Sequence, residues 1–420
     1  MRHIAIIGAG ITGVTTAYAL ATRGYAVTVI ERHRYPAEET SLANGGQLSA
    51  SNAEVWNHWS NVVKGVGWML RADAPLLFNP RPGWRKYTWM AEFLRHIGDY
   101  RKNTIATTRL AIAARKHLLE IAQREHIDFD LEQRGILHVY RDRKSLDHAQ
   151  EVNALLTEGG LDRRAVTPEE MRVIEPALQG SFYGGFFTPS DSTGDIMKFT
   201  RGLARACMGK GVRFLFDADV TAIETGEADR VRLSWHGTAE GVTDGTAETL
   251  SADAVVICAG VASRGFAAMV GDRLPIYPIK GYSITVDLGG PSSRAAAPWV
   301  SLLDDAAKIV TSRLGAARFR VAGTAELNDE NRDIRADRIA PLVTWTRRHF
   351  PGIETERVVP WAGLRPMMPD MMPRVGAGTR PGVYYNTGHG HLGWTLSAAT
   401  AEMVAEVIVA EMTGKLQHAA

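Results

Sequence analysis

The first thirty-one residues limit most strongly what this chain can become. His3-Ile4-Ala5-Ile6-Ile7 is apolar and rich in β-branched residues, as a strand buried on both faces must be. Gly8-Ala9-Gly10-Ile11-Thr12-Gly13 follows at once. A helical stretch runs roughly from Thr12 to Arg23, and Gly24 stands where a helix ends. Ala26-Val27-Thr28-Val29-Ile30 then reads as a second buried strand, ending at Glu31 with Arg32 beside it.

Each residue of that unit has a physical job. Gly8 permits the tight turn. Gly10 lets backbone approach a pyrophosphate without a Cβ clash. Gly13 lets the helix pack closely on the strand. The helix opening at Ile11 and Thr12 offers free N–H groups and a partial positive charge to phosphates. Glu31 lies 18 residues beyond Gly13, where a carboxylate accepts hydrogen bonds from an adenosine ribose. Strand, glycine turn, helix, second strand and terminal acid together predict a dinucleotide-binding unit. The glycines do not separate a nicotinamide from a flavin dinucleotide.

Thr40-Ser41-Leu42-Ala43-Asn44-Gly45-Gly46-Gln47 is small, polar and glycine-rich, so it suits a backbone that passes close to a flat ring. Residues 195–211 carry Ile196, Phe199, Leu203 and Ala206 at helical spacing. A strand is expected at 213–216, with Val220 after a short break, and antiparallel strands across 221–251. Ala254-Val255-Val256-Ile257-Cys258-Ala259-Gly260 is a further buried strand that ends in small residues. Near the C-terminus, Val383–Thr387 reads as a strand and Gly388-His389-Gly390-His391-Leu392-Gly393 repeats the glycine spacing. A long helix, 394–412, comes after it. No second strand or acid follows, so this is not a second nucleotide unit. Its helix N-terminus still favours negative charge, such as that on a reduced flavin.

Composition narrows the function classes. At 420 residues, two or three domains are expected. With 45% hydrophobic and 22% charged residues the chain is globular rather than disordered. The net charge of +2 argues against a dedicated nucleic-acid binder. Two cysteines, Cys207 and Cys258, build no disulfide framework and suit a reducing cytoplasm. His389 and His391 lack partner ligands at recognisable spacing, so no metal is expected. No uninterrupted apolar run reaches a membrane-spanning length, and the N-terminal apolar run reads as a strand rather than a signal. A cytoplasmic location is expected.

Residues 56–102 differ from the rest. Five of the ten tryptophans fall here: Trp56, Trp59, Trp68, Trp84 and Trp89. Eight basic residues, Arg71 among them, face only Asp73, Glu92 and Asp99. Val62, Val63, Val66, Met69, Leu70, Leu76, Leu77 and Phe78 lie between them. Two readings stand side by side: a membrane-surface segment, and a helical cap over an active site.

The chain resembles the D-amino acid oxidase/dehydrogenase flavoprotein family, most of all its bacterial D-amino acid dehydrogenase branch of small-subunit type. The resemblance rests on Gly8–Gly13 with Glu31, on 40–47, and on Tyr277-Pro278-Ile279-Lys280-Gly281-Tyr282-Ser283. It rests further on Gly363-Leu364-Arg365-Pro366, and on Asn386-Thr387-Gly388-His389-Gly390 through Trp394-Thr395. The last two are much more specific than the glycine fingerprint. These motifs run in order from end to end of the chain.

The resemblance implies FAD, held by Gly8, Gly10, Ile11, Thr12, Gly13, Glu31, Arg32, Ser41, Asn44, Gly45 and Gln47. To these it adds Val220, Ala259, Gly260, Gly363, Gly388, His389, Gly390, Leu392, Gly393, Trp394 and Thr395. Met367 and Met368 stand where covalent-flavin relatives carry a cysteine, so the FAD is expected to be non-covalent. The resemblance makes Arg365 the carboxylate clamp, as a guanidinium fork suits. Tyr282 and His391 are further candidates for the reaction site. The implied reaction oxidises a free amino acid to an imine, which hydrolyses to a 2-oxo acid and ammonia. No general base stands out. A quinone is the implied acceptor, with peripheral attachment to the cytoplasmic face of the inner membrane.

The expected class is α/β: a Rossmann-type FAD-binding domain (1–55, 193–275 and 360–420) interleaved with an α+β substrate domain (56–192 and 276–359) on an antiparallel sheet. Residues 135–140 and 318–323 supply strands, and 104–125 one amphipathic helix. Competing readings are an oxidase or dehydrogenase of glycine, sarcosine or a cyclic imino acid, a FAD-carrying subunit of a membrane complex, and a nicotinamide-dependent dehydrogenase.

Overall fold

The computed structural model describes residues 1–68, 74–226, 230–238 and 247–418. Met69, Leu70, Arg71 and Asp73 of the tryptophan-rich segment lie outside the described residues.

Two sheets form the frame. The first has six strands in the order Arg374–Ala377, Val383–Thr387, Ala254–Ile257, His3–Ile7, Ala26–Ile30 and Arg213–Leu215. All pair in parallel except the first, which runs antiparallel to Val383–Thr387. The strand His3–Ile7 explains its own composition. Ile4 and Ile6 enter one apolar core and Ala5 and Ile7 the other, so only His3, at the strand's start and paired with Thr28 Oγ1 at 2.9 Å, is polar. A helix, Ile11–Ala21, packs on the face of Ile4 and Ile6. Gly24, at φ 83°, turns the chain back into the sheet. Asp195 accepts hydrogen bonds from Met197 and Lys198 N–H and so starts the helix Ile196–Gly209.

The second sheet has nine strands. Its main order is Val358–Met367, Tyr277–Asp287, Arg318–Leu327, Ile309–Leu314, Ser301–Asp304, Ile136–Tyr140, Gly184–Thr188 and Arg164–Val166. Leu76–Phe78 joins from the side, parallel to Ala325–Leu327. Ser301–Asp304 also runs parallel to Ile136–Val139, so the sheet is mixed rather than purely antiparallel. The strands of 221–251 form a separate three-stranded antiparallel sheet: Ala218–Thr225, Val231–Gly237 and Glu248–Ala252.

Two groupings read from sequence change. Residues 360–367 belong to the second sheet, because Val358–Met367 pairs along its whole length with Tyr277–Val286. The helix Tyr100–Arg124 reaches into the first core: Leu118, Ile121 and Ala122 share a cluster with Ile4 and Val29. The terminal helix is Gly393–His418. The stretch Gly390–Thr413 is apolar enough by length and composition to cross a bilayer, with mean hydropathy 1.3 over 18 of its residues. About two-thirds of that apolar stretch is buried within the fold, where it packs on Ile11–Ala21 and Tyr100–Arg124. Its apolarity serves the core.

Candidate active site

A cavity of about 700 Å³ is lined by residues of both sheets. At one end lies the glycine turn. Gly8 sits at φ 103°, and a Cβ there would come within 2.9 Å of the Cys258 carbonyl oxygen. A Cβ on Gly13 would fall 1.9 Å from the Gly8 carbonyl oxygen, so only glycine lets the helix dock. Gly10 has open space on its Cβ side, with Ser41 Oγ nearest at 3.5 Å. Glu31 is buried at the strand end. Its carboxylate accepts from Ala9 N–H at 2.6 Å and His33 N–H at 3.0 Å. Burial raises its pKa against those hydrogen bonds. Arg32 also borders the cavity and pairs with Glu39.

The loop 40–47 crosses to the second sheet. Thr40 Oγ1 donates to the Leu364 carbonyl at 2.9 Å, and Gln47 Nε2 to Ser301 Oγ at 2.7 Å. Ser41 Oγ accepts from Ile11 N–H at 3.0 Å, tying the loop to the helix start. Arg320 Nη1 donates to the Asn44 carbonyl at 3.0 Å, and a Cβ on Gly45 would come 2.8 Å from Val310. The loop is therefore tied down on the sheet, its carbonyls at 43, 44 and 45 accepting from Ser283, Arg320 and Ser312, while Ser41, Asn44, Gly45 and Gln47 border the cavity.

The third wall is the turn before the terminal helix. Gly388 (φ 77°) and Gly390 (φ 58°) adopt the left-handed conformation and lie against Met368 and Met367. Three buried nitrogens here lack a hydrogen-bond partner: His389 Nδ1, His391 Nδ1 and Trp394 Nε1. All three residues line the cavity. His391 Nε2–H donates to the Asn52 carbonyl at 3.2 Å, which leaves Nδ1 with a free lone pair. Burial holds His389 down to about 3 and His391 down to about 4, so both are neutral. Orphaned polar atoms beside a helix start, facing a glycine-turn cradle, fit a flat polar heterocycle with a phosphate tail such as FAD.

Arg365 lines the same cavity, and burial lowers its pKa to about 10. Among the described residues no carboxylate pairs with it. Its guanidinium lies across Gly281, where a Cβ would come within 2.4 Å of Cζ. Gly281 thus clears a floor for this side chain, while the Trp361 ring covers the paired Gly363. Tyr282 behaves differently. It borders the cavity, yet it belongs to the apolar core with Leu342 and Trp345, and its hydroxyl donates to the Asp333 carbonyl at 3.4 Å. That hydroxyl is already engaged, which argues against a reactive role. His391, at a pKa of about 4, is too weak a base to hold a proton near neutrality.

Every residue tied to the cofactor by resemblance borders this one cavity except Gly13, whose place is in the helix–strand contact. Sequence reading missed Glu54, His138, Tyr140 and Arg163, which also line it. Their strands and loops carry no motif, and only the sheet order brings them to the cavity. The 56–102 segment divides. Trp56 stacks on His391 at 4.8 Å, and buried Trp89 donates from Nε1 to the Met367 carbonyl at 2.9 Å, so both help close the cavity. Trp59 and Trp84 face outward, 61% and 83% exposed.

Residues 3–407 match the DAO family model, described as FAD dependent oxidoreductase. The chain is 65% identical over 412 residues to "D-amino acid dehydrogenase 3" of Mesorhizobium japonicum, covering 98% of each. It is 40% identical to "D-amino acid dehydrogenase" of Paramagnetospirillum magneticum, over 96% of this chain and 94% of that one. Among solved structures, glycine oxidase from Geobacillus kaustophilus superposes with TM-score 0.73 at 21% identity, covering 98% of this chain and 95% of that one. L-proline dehydrogenase from P. horikoshii superposes with TM-score 0.74 at 18% identity, over 98% and 94%. These structural likenesses speak to the fold. The glycine cradle, the orphaned nitrogens and the family match agree: the chain belongs to the DAO family of FAD-dependent oxidoreductases.

Proposed function

We propose that the chain oxidises free D-amino acids to 2-oxo acids and ammonia and passes the electrons to a quinone rather than to oxygen. The carrying observation is Arg365, a guanidinium without a carboxylate partner among the described residues, laid on the cavity floor. A bidentate grip on the substrate carboxylate satisfies its charge and orients Cα. Bound FAD supplies a hydride acceptor for the Cα–H. Neutral His391, stacked under Trp56, keeps a second positive charge away from the amine. The relatives' names support the D-amino acid as substrate.

The outward face of residues 56–102 supports membrane attachment. Trp59, Val63, Trp84, Tyr87 and Leu94 are exposed, and exposed Lys64, Arg85 and Arg95 follow Val63, Trp84 and Leu94 in the chain. Docking there on the cytoplasmic leaflet brings a quinone near the cavity. Flotation with anionic vesicles at low salt checks this, and protein left at the bottom of the gradient rejects it.

The enzymatic test is visible absorbance of the purified protein, followed anaerobically during addition of D- and L-amino acids. Flavin peaks bleached by D-isomers, with reoxidation by quinone or dye faster than by oxygen, are expected. Bleaching only by glycine, sarcosine or a cyclic imino acid, or rapid peroxide formation, rejects the reading.

A further inference from the structure

The cavity carries a second charged group that the reaction above leaves unused. Glu54 lines it. One of its oxygens accepts from Tyr100 Oη at 2.8 Å. Among the described residues no Lys, Arg or His forms an ion pair with it. Its position follows from its neighbours on both sides. The Asn52 carbonyl accepts from His391 at 3.2 Å, and the Trp56 ring stacks on the same imidazole at 4.8 Å. Glu54 lies between them, within about 7 Å of chain from each contact. His391 in turn feels the charge of Arg365. Its backbone therefore lies beside the imidazole that borders the carboxylate clamp, while its carboxylate reaches to the Tyr100 and Tyr140 side of the same cavity.

With no ion pair among the described residues, this cavity-lining carboxylate keeps acceptor capacity for a cationic group of a ligand. The adjacent imidazole does not meet it, since burial keeps His391 neutral. The surrounding wall, Trp56, Trp89 and Phe93, is aromatic and suits the methylene stem of a long side chain. A cationic head is also welcome against an aromatic face. The cavity thus carries groups of both signs: Arg365 for an α-carboxylate, Glu54 for a positive group.

We infer that Glu54 is a specificity-determining residue that selects amino acids whose side chain ends in an ammonium or guanidinium group. This rests on the amino-acid reading of the Arg365 site.

The test compares D-lysine with D-norleucine, and D-ornithine with D-norvaline, pairs that differ only in the terminal nitrogen. Half-saturation and limiting rate of anaerobic flavin bleaching are measured for wild type and Glu54→Gln. Wild type is expected to favour the nitrogen-bearing partner by about tenfold or more in half-saturation, the worth of one charge-assisted contact. Glu54→Gln is expected to erase that preference by weakening D-lysine alone. Retained flavin absorbance reports that the variant folds. Should Glu54→Gln not fold, Glu54→Asp decides, because a carboxylate withdrawn by one methylene shifts the preference from D-ornithine toward D-lysine.

An unchanged lysine-to-norleucine ratio in the variants overturns the inference. So does an equal fall in limiting rate for both substrates with an altered pH profile, which makes Glu54 a proton acceptor for the α-amine. If only L-isomers bleach the flavin, the D-amino-acid reading fails. The same pairs of L-isomers then decide the role of Glu54.

Discussion

Arg365 and Gly281 behave as one unit. The guanidinium occupies the space a side chain at 281 would need, so Gly281→Ala pushes the fork off its floor. Flavin content should stay normal while half-saturation by substrate rises about tenfold, the order of one charged hydrogen bond. Arg365→Lys keeps the charge and loses the fork. It should lower kcat/KM by roughly 10- to 100-fold, or about 1.5–3 kcal/mol, read by steady-state dye reduction. The resemblance pointed to Arg365. The reason Gly281 must be glycine lay in a cross-strand neighbour and was invisible along the chain. The two histidines give a pH prediction. Folding holds His389 to about 3 and His391 to about 4, whereas an unfolded histidine titrates at roughly 6.5. The unfolded chain therefore binds protons that the folded one refuses. Their contribution is fully kept above pH ~6.5 and is lost as pH falls toward 4, at up to about 1.4 kcal/mol per unit for each. Urea midpoints measured between pH 7 and 4.5 should fall accordingly, and His391→Asn should flatten part of that slope.

At the scale of elements, the glycine turn is the most exacting junction. The helix Ile11–Ala21 sits on its strand only because position 13 lacks a Cβ. Gly13→Ala places a methyl 1.9 Å from the Gly8 carbonyl oxygen, a backbone atom that cannot step aside cheaply. The helix start then tilts away from the cavity. The variant is expected to purify with little or no flavin absorbance and a lower Tm, whereas Gly24→Ala, with open space and only an unfavourable φ, should keep its flavin. Local pattern sufficed to read this junction, because strand, turn and helix are contiguous. It did not suffice for Val358–Met367. Residues 360–367 read with the FAD-binding domain, yet the strand they belong to pairs with Tyr277–Val286. Strand pairing between distant segments leaves no periodic trace in either one.

At the scale of the molecule, the cavity joins two frames. The glycine turn and Glu31 come from the first sheet, while Arg365 and the floor under the loop 40–47 come from the second. A ligand that touches both ties their stabilities together. FAD added at about 100 times its Kd should stabilise the protein by roughly 2.7 kcal/mol. Chemical denaturation of stripped and reconstituted protein measures this. The reconstituted protein is expected to unfold in one transition at higher denaturant, and an unchanged midpoint would reject FAD as the ligand that ties the frames together.

The chain by itself determined the nucleotide unit, the buried strands and the loop and turn motifs, because those features depend on neighbours a few residues apart. A tight turn needs glycine, a doubly buried strand needs apolar residues, and each requirement is written in place. The tertiary structure decided what depends on distance. It set the pairing that lays Arg365 over Gly281, turned the Tyr282 hydroxyl to a loop carbonyl, and brought Trp56 onto His391. It also left Glu54 facing the cavity without a cation beside it among the described residues. Burial and charge pairing are properties of a packed volume, and no stretch of sequence carries them alone.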